Sequence, residues 1–473
     1  MKKVLSIIFS LFLFVGVLSG CSSNNGDGGA DGDIVTLKWV TVGSGMPTNY
    51  DQWKEEVNKY LEEKIGVHIE MEVVSWGDWE SRRNVIVNTN EDYDILFTNV
   101  GTYTNDVALG AFADITELVE SESPDLYASI PSDYWDAVKV NGKIYSVPTY
   151  KDSSVTQYFI YDKSIVDKYS IDVDSVDELS DLTEPLKKVK EGENINPFIL
   201  SNTGYLLYGM NYDQIGSGLP ALGVRFDDES RKVVNIFEEE EVLKELNTLH
   251  QWYKEGIINA DAPTLVENPS YKAVSVAQGW SSAAKTVWGP QLGVEAIAVQ
   301  YGETIVSNDT VRGSLNAISA SSEHPEEALK FLQLLNMDTK LRDAFYFGLE
   351  GDNFEYVDGK VKKLNTDWPM AGYTQASFFT VSQTVEEEFN QWDEVKELNE
   401  NAKGSVLLGF TFDTEPVADE LANCIEIYNR YRSEVNTGAK DPAVIVKAMV
   451  EEMNKAGMQK IIDEAQAQID EAF

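Results

Sequence analysis

The chain has 473 residues, 43% of them apolar and 25% charged, the composition of a soluble globular protein long enough for two or three domains. Lys and Arg number 38 against 79 Asp and Glu, a formal net charge of −41. Such an excess repels phosphate backbones and anionic headgroups, so it excludes nucleic acid and a charged lipid surface as ligands while saying nothing about fold.

Lys2 and Lys3 precede an apolar run, Val4 to Leu18, broken only by Ser6, Ser10 and Gly16. That is the pattern of an export signal, and the run is shorter than the roughly 20 residues of a membrane span. It closes on Val17-Leu18-Ser19-Gly20-Cys21, which resembles the box of a bacterial lipoprotein signal. The resemblance implies a signal peptide over residues 1–20, cleavage before Cys21 and diacylation of its sulfur. Two acyl chains suffice for stable attachment, so the chain is expected at the extracellular face of the cell membrane, held there through Cys21 alone. Residues 21–33, rich in Gly and Asp, read as a flexible tether. They lack the closing Glu of a calcium loop. With Cys21 acylated, Cys424 stands alone, so no internal disulfide forms and the thiol is expected as a small buried apolar group.

From Ile34 to Phe97 strands alternate with helices. Ile34 to Val42 reads as a strand, and Tyr50 to Ile65 as a helix with Trp53, Val57, Tyr60, Leu61 and Ile65 on one face and Gly66 at its end. Val67 to Val74 alternates as a strand does, Asp78 to Val87 suits a second helix, and Tyr93 to Phe97 is a short buried strand. Strand–helix alternation predicts a parallel sheet with ligands outside the carboxyl ends of its strands. At the far end Asp441 caps a helix opened by Pro442, with Ile445, Met449 and Met453 as its stripe. Gly457 breaks it, and Met458, Ile461, Ile462, Ala465, Ile469 and Phe473 form a second stripe.

Ala137 to Pro148 (AVKVNGKIYSVP), with Asn141-Gly142 as a hairpin turn, resembles a segment of extracellular solute-binding proteins of the maltose-binding type. Further matches follow in the same order at Trp252–Asp261, Val311–Ile318 and His324–Leu332. Gly409–Pro416 and the terminal helices are similar to the C-terminal module of the LipO-like group of Gram-positive binding lipoproteins. The resemblance implies a periplasmic-binding-protein-like α/β fold: two α/β lobes joined by crossover strands, a ligand cleft between them, and C-terminal helices. Residues 34–148 and 310–370 would then form the first lobe and 149–309 and 371–473 the second, with the chain crossing over Thr149 to Tyr161. It further implies a binding protein of an ABC importer that delivers a solute, with carbohydrate favoured, to transmembrane permease subunits. A monomer without cofactor or bound metal is expected.

A sugar needs polar groups for its hydroxyls and flat rings for its C–H faces. Loops at expected strand ends supply Trp76 with Asp78, Asn99 with Tyr103, Tyr150 with Lys151 and Asp152, Tyr212 with Asp213, and the separate rings Trp280 and Trp368. Trp280 lies beside Gly279 and Ser281-Ser282, poor company for a core ring. Each aromatic has a core alternative, and Tyr150 to Asp152 a purely hinge-forming one. Catalytic patterns fare worse. Ser282-Ala283-Ala284-Lys285 has S-x-x-K spacing without its S-D-N or K-T-G partners, and His68, His250 and His324 form no H-E-x-x-H. The competing readings are a peptide-binding lipoprotein of the same fold, a secreted glycoside hydrolase using paired carboxylates, and an adhesin with a flat aromatic face.

Overall fold

The computed structural model describes residues 34–89 and 91–473; the signal peptide, Cys21 and the tether of residues 21–33 lie outside the described residues. Strand Val35–Gly43 lies between Val67–Ser75 and Ile95–Thr98 and runs parallel to both, as the alternation of elements predicts. Its register pairs Val35 with Val67 and Gly43 with Ser75, so the carboxyl ends of the two strands are level. The intervening helix Tyr50–Ile65 buries Trp53, Val57 and Leu61, and Gly66 ends it at a φ of 70°, the left-handed conformation that a glycine adopts without strain. The helix expected over Asp78 to Val87 runs Trp79–Thr89.

The sheet is completed by Leu315–Ile318 and Ser146–Pro148, in the order Val67–Ser75, Val35–Gly43, Ile95–Thr98, Leu315–Ile318, Ser146–Pro148. It is mixed, because Leu315–Ile318 is antiparallel to both neighbours. The cause is topological: Leu315 pairs with Thr98, so the chain re-enters the sheet at the edge where the parallel strands leave it. A second sheet has the order Val274–Gln278, Val155–Asp162, Ala296–Val306, Lys403–Gly404, with Val155–Asp162 antiparallel to both flanking strands. Beside it lies a three-stranded meander of Tyr212–Gln214, Leu222–Arg225 and Val233–Asn235. The chain passes between the two large sheets three times, from Pro148 to Val155, from Val306 to Leu315 and, through the long segment after Ile318, to Lys403.

Two separate cores define two lobes. One gathers residues from Leu37 to Tyr150, from Val306 to Phe345, and then Met370 and Ala376. The other gathers Phe159 to Tyr301 and Leu407 to Ile469, so the C-terminal helices are part of the second lobe's interior. In those helices Asp441 accepts from the Ala443 N–H at 2.9 Å, Pro442 occupies the first turn, and Gly457 parts Pro442–Ala456 from Met458–Ala472. Ile445, Met449, Met453, Met458, Ile461, Ala465 and Ile469 are buried as the stripes predict. Phe473 departs from its stripe and is 55% exposed, because the helix ends one residue earlier and carries it past the core. Cys424 is wholly buried in the second core, where burial pushes its thiol up to about 11 and leaves it inert.

Candidate ligand-binding site

Level strand ends place several loops on one edge of the first sheet. Trp76 follows strand Val67–Ser75, is 47% exposed, and stacks on Tyr373, itself 41% exposed, with centroids 6.0 Å and planes 10° apart. Two large rings side by side in solvent form an apolar platform that a ligand would cover. Asp78 accepts from the Ser75 hydroxyl at 2.6 Å and closes the loop that carries Trp76.

Tyr373 is exposed, yet its main chain is fixed from below. Arg342, with no solvent exposure, donates to Gly372 O at 2.8 Å, Ser377 O at 2.8 Å and Gln375 Oε1 at 2.9 Å. Ser314 donates to Tyr373 O at 2.7 Å, and Asn316 to Thr374 O at 3.1 Å and Gln375 O at 2.9 Å. Burial pushes the Arg342 guanidinium down to about 10, so it stays charged at neutral pH. The platform is therefore built before any ligand arrives, and binding need not spend free energy on ordering it.

The crossing between lobes carries the next group. Tyr150 is buried between Tyr134 and Phe379, with centroids at 5.3 and 4.6 Å, which makes it part of the crossing's framework. Lys151 and Asp152 pair with each other at 3.0 Å and are only half-buried. Asn399 anchors the same stretch: it accepts from the Ser154 N–H at 3.1 Å and hydroxyl at 2.8 Å, and donates to Lys151 O.

On the second lobe Trp280 follows strand Val274–Gln278 and packs on Trp392 at 5.8 Å, which packs on Phe378 at 4.5 Å. Glu394 accepts from the Ser281 N–H at 2.7 Å, the Ser282 N–H at 3.1 Å and the Ser281 hydroxyl. Burial raises the Glu394 carboxyl, but the Ser281 and Ser282 donors outweigh it and hold it below the usual carboxylate range. Among the described residues the Trp280 indole N–H and the Ser282 hydroxyl, both buried, have no partner.

The other expected residues stand apart from the two aromatic pairs, Asn99 among them although it follows strand Ile95–Thr98 at the same edge of the first sheet. Asn99 bonds its own loop, accepting from the Gly101 N–H at 3.0 Å. Tyr103 and Trp368, expected at the cleft, sit in or against the first core instead. The Tyr103 hydroxyl donates to Val138 O at 2.7 Å with the ring wholly buried, because the first residue of helix Tyr103–Ala108 turns inward. Trp368 donates from its indole to Phe345 O at 2.9 Å and packs on Trp53 at 5.6 Å, a polar tip and an apolar face both satisfied inside the lobe. Tyr212 and Asp213 lie on the meander and line a cavity of about 700 Å³, and Asp213 also lines one of about 410 Å³ with Val100 and Gly101 beside Asn99; none of the four rings of the two pairs lines either. Tyr212 donates to Glu241 at 2.6 Å. Burial pushes Asp213 up to about 6 against the 2.7 Å bond it accepts from Ser405.

Sequence reasoning missed Tyr373, Trp392, Arg342 and Glu394. Tyr373 had a usable signal, since Gly372 and Thr374-Gln375 give it the same small polar setting that singled out Trp280. Trp392 had none; it reads as one face of the helix Gln391–Glu400. Among the described residues no group of three or more His, Cys, Asp or Glu could hold a metal ion, and no helix is long and apolar enough to cross a membrane.

Two lobes around separate cores, three chain crossings from sheet to sheet and an aromatic pair on each lobe are the architecture of a two-lobed solute-binding protein. Residues 55–346 match the family described as bacterial extracellular solute-binding protein, and the chain belongs to it. Residues 406–473 match a domain of unknown function, DUF3502. A carbohydrate ABC transporter substrate-binding protein of Streptococcus pneumoniae serotype 4 is 29% identical over 96% of this chain and 94% of its own. The solved N-glycan transport solute-binding protein NgtS of Streptococcus pneumoniae is 27% identical over 93% of this chain and 99% of its own, with a TM-score of 0.80. The same protein in complex with Man1GlcNAc and with Man5GlcNAc matches at TM-scores of 0.67 and 0.63, over 92% of this chain and 99% and 98% of its own, at an unchanged 27% identity.

Proposed function

We propose that the protein is the binding component of an ABC importer, anchored to the outer face of the membrane through Cys21, and that it captures an oligosaccharide built of mannose and N-acetylglucosamine for a transmembrane permease. The observation that carries this reading is the match to NgtS along nearly the whole of both chains, joined to an exposed aromatic platform on one lobe and a second aromatic pair on the other. Flat rings suit the C–H faces of pyranoses, and Lys151, Asp152, Asp78 and Asn99 offer their polar groups to hydroxyls at the same edge. Hinge closure fits the difference between the NgtS matches. Identity does not change among them, so the lower scores of the sugar complexes reflect conformation, as lobes that swing together would produce.

The deciding experiment is thermal unfolding of the purified chain with Man5GlcNAc, maltooligosaccharides and a lysine-rich peptide. Stabilisation by about 2.7 kcal/mol is expected from Man5GlcNAc at 100 times its dissociation constant. A response to peptide alone would overturn the sugar reading, and release of reducing ends from the oligosaccharide would mark a hydrolase. In solution scattering the saturated protein should contract by roughly an ångström in radius of gyration. For the anchor, Cys21→Ala should move the protein out of the membrane fraction while leaving its affinity unchanged; a protein that stays membrane-bound would refute lipid attachment at Cys21.

A further inference from the structure

Helix Gln391–Glu400 touches both the second-lobe aromatic pair and the crossing between lobes, and does so with two different side chains. Near its start Glu394 holds the Ser281-Ser282 turn by three hydrogen bonds, which fixes the loop carrying Trp280. Near its end Asn399 holds the crossing at both Lys151 and Ser154. Five residues separate them, which in an α-helix is about 7.5 Å along the axis and roughly 140° around it, so the two side chains leave on different sides. Val395, buried, ties the helix down between them, and Asn390 caps its start by accepting from the Trp392 N–H at 3.2 Å. The Trp392 ring stands against Trp280, so the helix supports that platform through packing as well as through the carboxylate.

We propose that helix Gln391–Glu400 is a coupling element in which Glu394 positions the Trp280 loop and Asn399 positions the interlobe crossing, so that a solute seated on Trp280 is felt at the crossing and biases closure. Neither side chain needs to touch the solute; both are positioning residues. The inference rests on the reading of Trp280 as a solute contact. A rigid element bonded at two sites carries coupling because displacing one end displaces the other, provided both grips hold. The Asn399 grip on Ser154 is buried, whereas the Glu394 grip on the Ser281-Ser282 turn is exposed at Ser281 but made of three charge-assisted hydrogen bonds.

The test has two arms on the full chain. Hydrogen exchange without ligand comes first: Asn399→Ala should speed exchange in residues 279–283 as well as 149–156, and Glu394→Ala should speed exchange in 149–156 as well as 279–283. Purely local effects in both variants would overturn the proposal. Calorimetry with Man5GlcNAc is the second arm. Each alanine variant should weaken binding about tenfold, and Glu394→Gln, which keeps an acceptor for Ser281, should stay within about threefold of wild type. The double variant should bind no more weakly than the weaker single, the mark of two groups acting as one unit; losses that multiply would refute coupling. If Asn399→Ala does not fold, Asn399→Asp replaces it, keeping the acceptor for Ser154 and losing the donor to Lys151. If wild type takes up no Man5GlcNAc, the functional reading falls and the exchange arm alone decides the coupling.

Discussion

The two aromatic pairs are built for opposite exposures. Trp76 and Tyr373 stand in solvent on two loops, that of Tyr373 held through its backbone carbonyls by a buried arginine, whereas Trp280 and Trp392 are half-buried and the Trp280 loop is held by a carboxylate from the helix that carries Trp392. The first arrangement is rigid and open, so it can take a ring from solution without rearranging. The second is sheltered, and the helix that bonds its loop also bonds the crossing, so on the proposed coupling its contribution would depend on how the lobes stand. On the proposed function the open pair would meet the solute first and the sheltered pair would enclose it.

Breaking the foundation of the open platform should have the largest effect. Arg342→Met leaves the Ser377 carbonyl and the Gln375 side-chain oxygen buried without donors, and should cost about 3 to 5 kcal/mol of unfolding free energy in urea. A loss below about 1 kcal/mol would mean that the loop is held by Ser314 and Asn316 alone. Asp213 serves as a control for the two aromatic pairs, since neither of the cavities it lines includes them. Its folded-state carboxyl near 6 lies above the ordinary 3.8, so the stability tied to it is present below pH 3.8 and lost as pH rises through 6. Asp213→Asn should therefore raise stability at pH 7.5, by no more than about 3 kcal/mol, and flatten the pH dependence between pH 4 and 6. Stability that instead rose with pH across that window would contradict the burial of the carboxyl.

The comparison itself is sharpened by matching truncations. Trp280→Ala should weaken solute binding by about 1 to 3 kcal/mol and also lower stability, because the ring is packed on Trp392 and the small core around Tyr158. Trp76→Ala should weaken binding by a similar amount, about 1 to 3 kcal/mol, but move unfolding free energy by less than about 0.5 kcal/mol. Equal stability losses from the two would erase the distinction between open and sheltered pairs. Smallest of all, Tyr373→Phe should change affinity by less than about 0.5 kcal/mol if the ring face is the contact; a larger loss would assign the phenol oxygen to the solute.

The sequence by itself determined the class of protein and most of its elements. Helical and strand periodicities located the helix Tyr50–Ile65, the parallel strands beside it and the capped C-terminal helices, because side-chain period and cap chemistry are local properties. It also placed Trp76 and Trp280 at loop ends, since a large ring among Gly, Ser and Asp has little apolar company nearby in the chain. Tertiary structure alone decided which rings stay in solvent. Tyr103 and Trp368 looked equally available, yet Val138 and Phe345 offer carbonyls that draw them inward. Tyr373 meets Trp76 across almost 300 residues, and Glu394 meets Ser281 across 113. Such pairings depend on how the chain returns between lobes. No local pattern encodes that return, because the free energy that fixes it comes from two cores assembled out of distant segments.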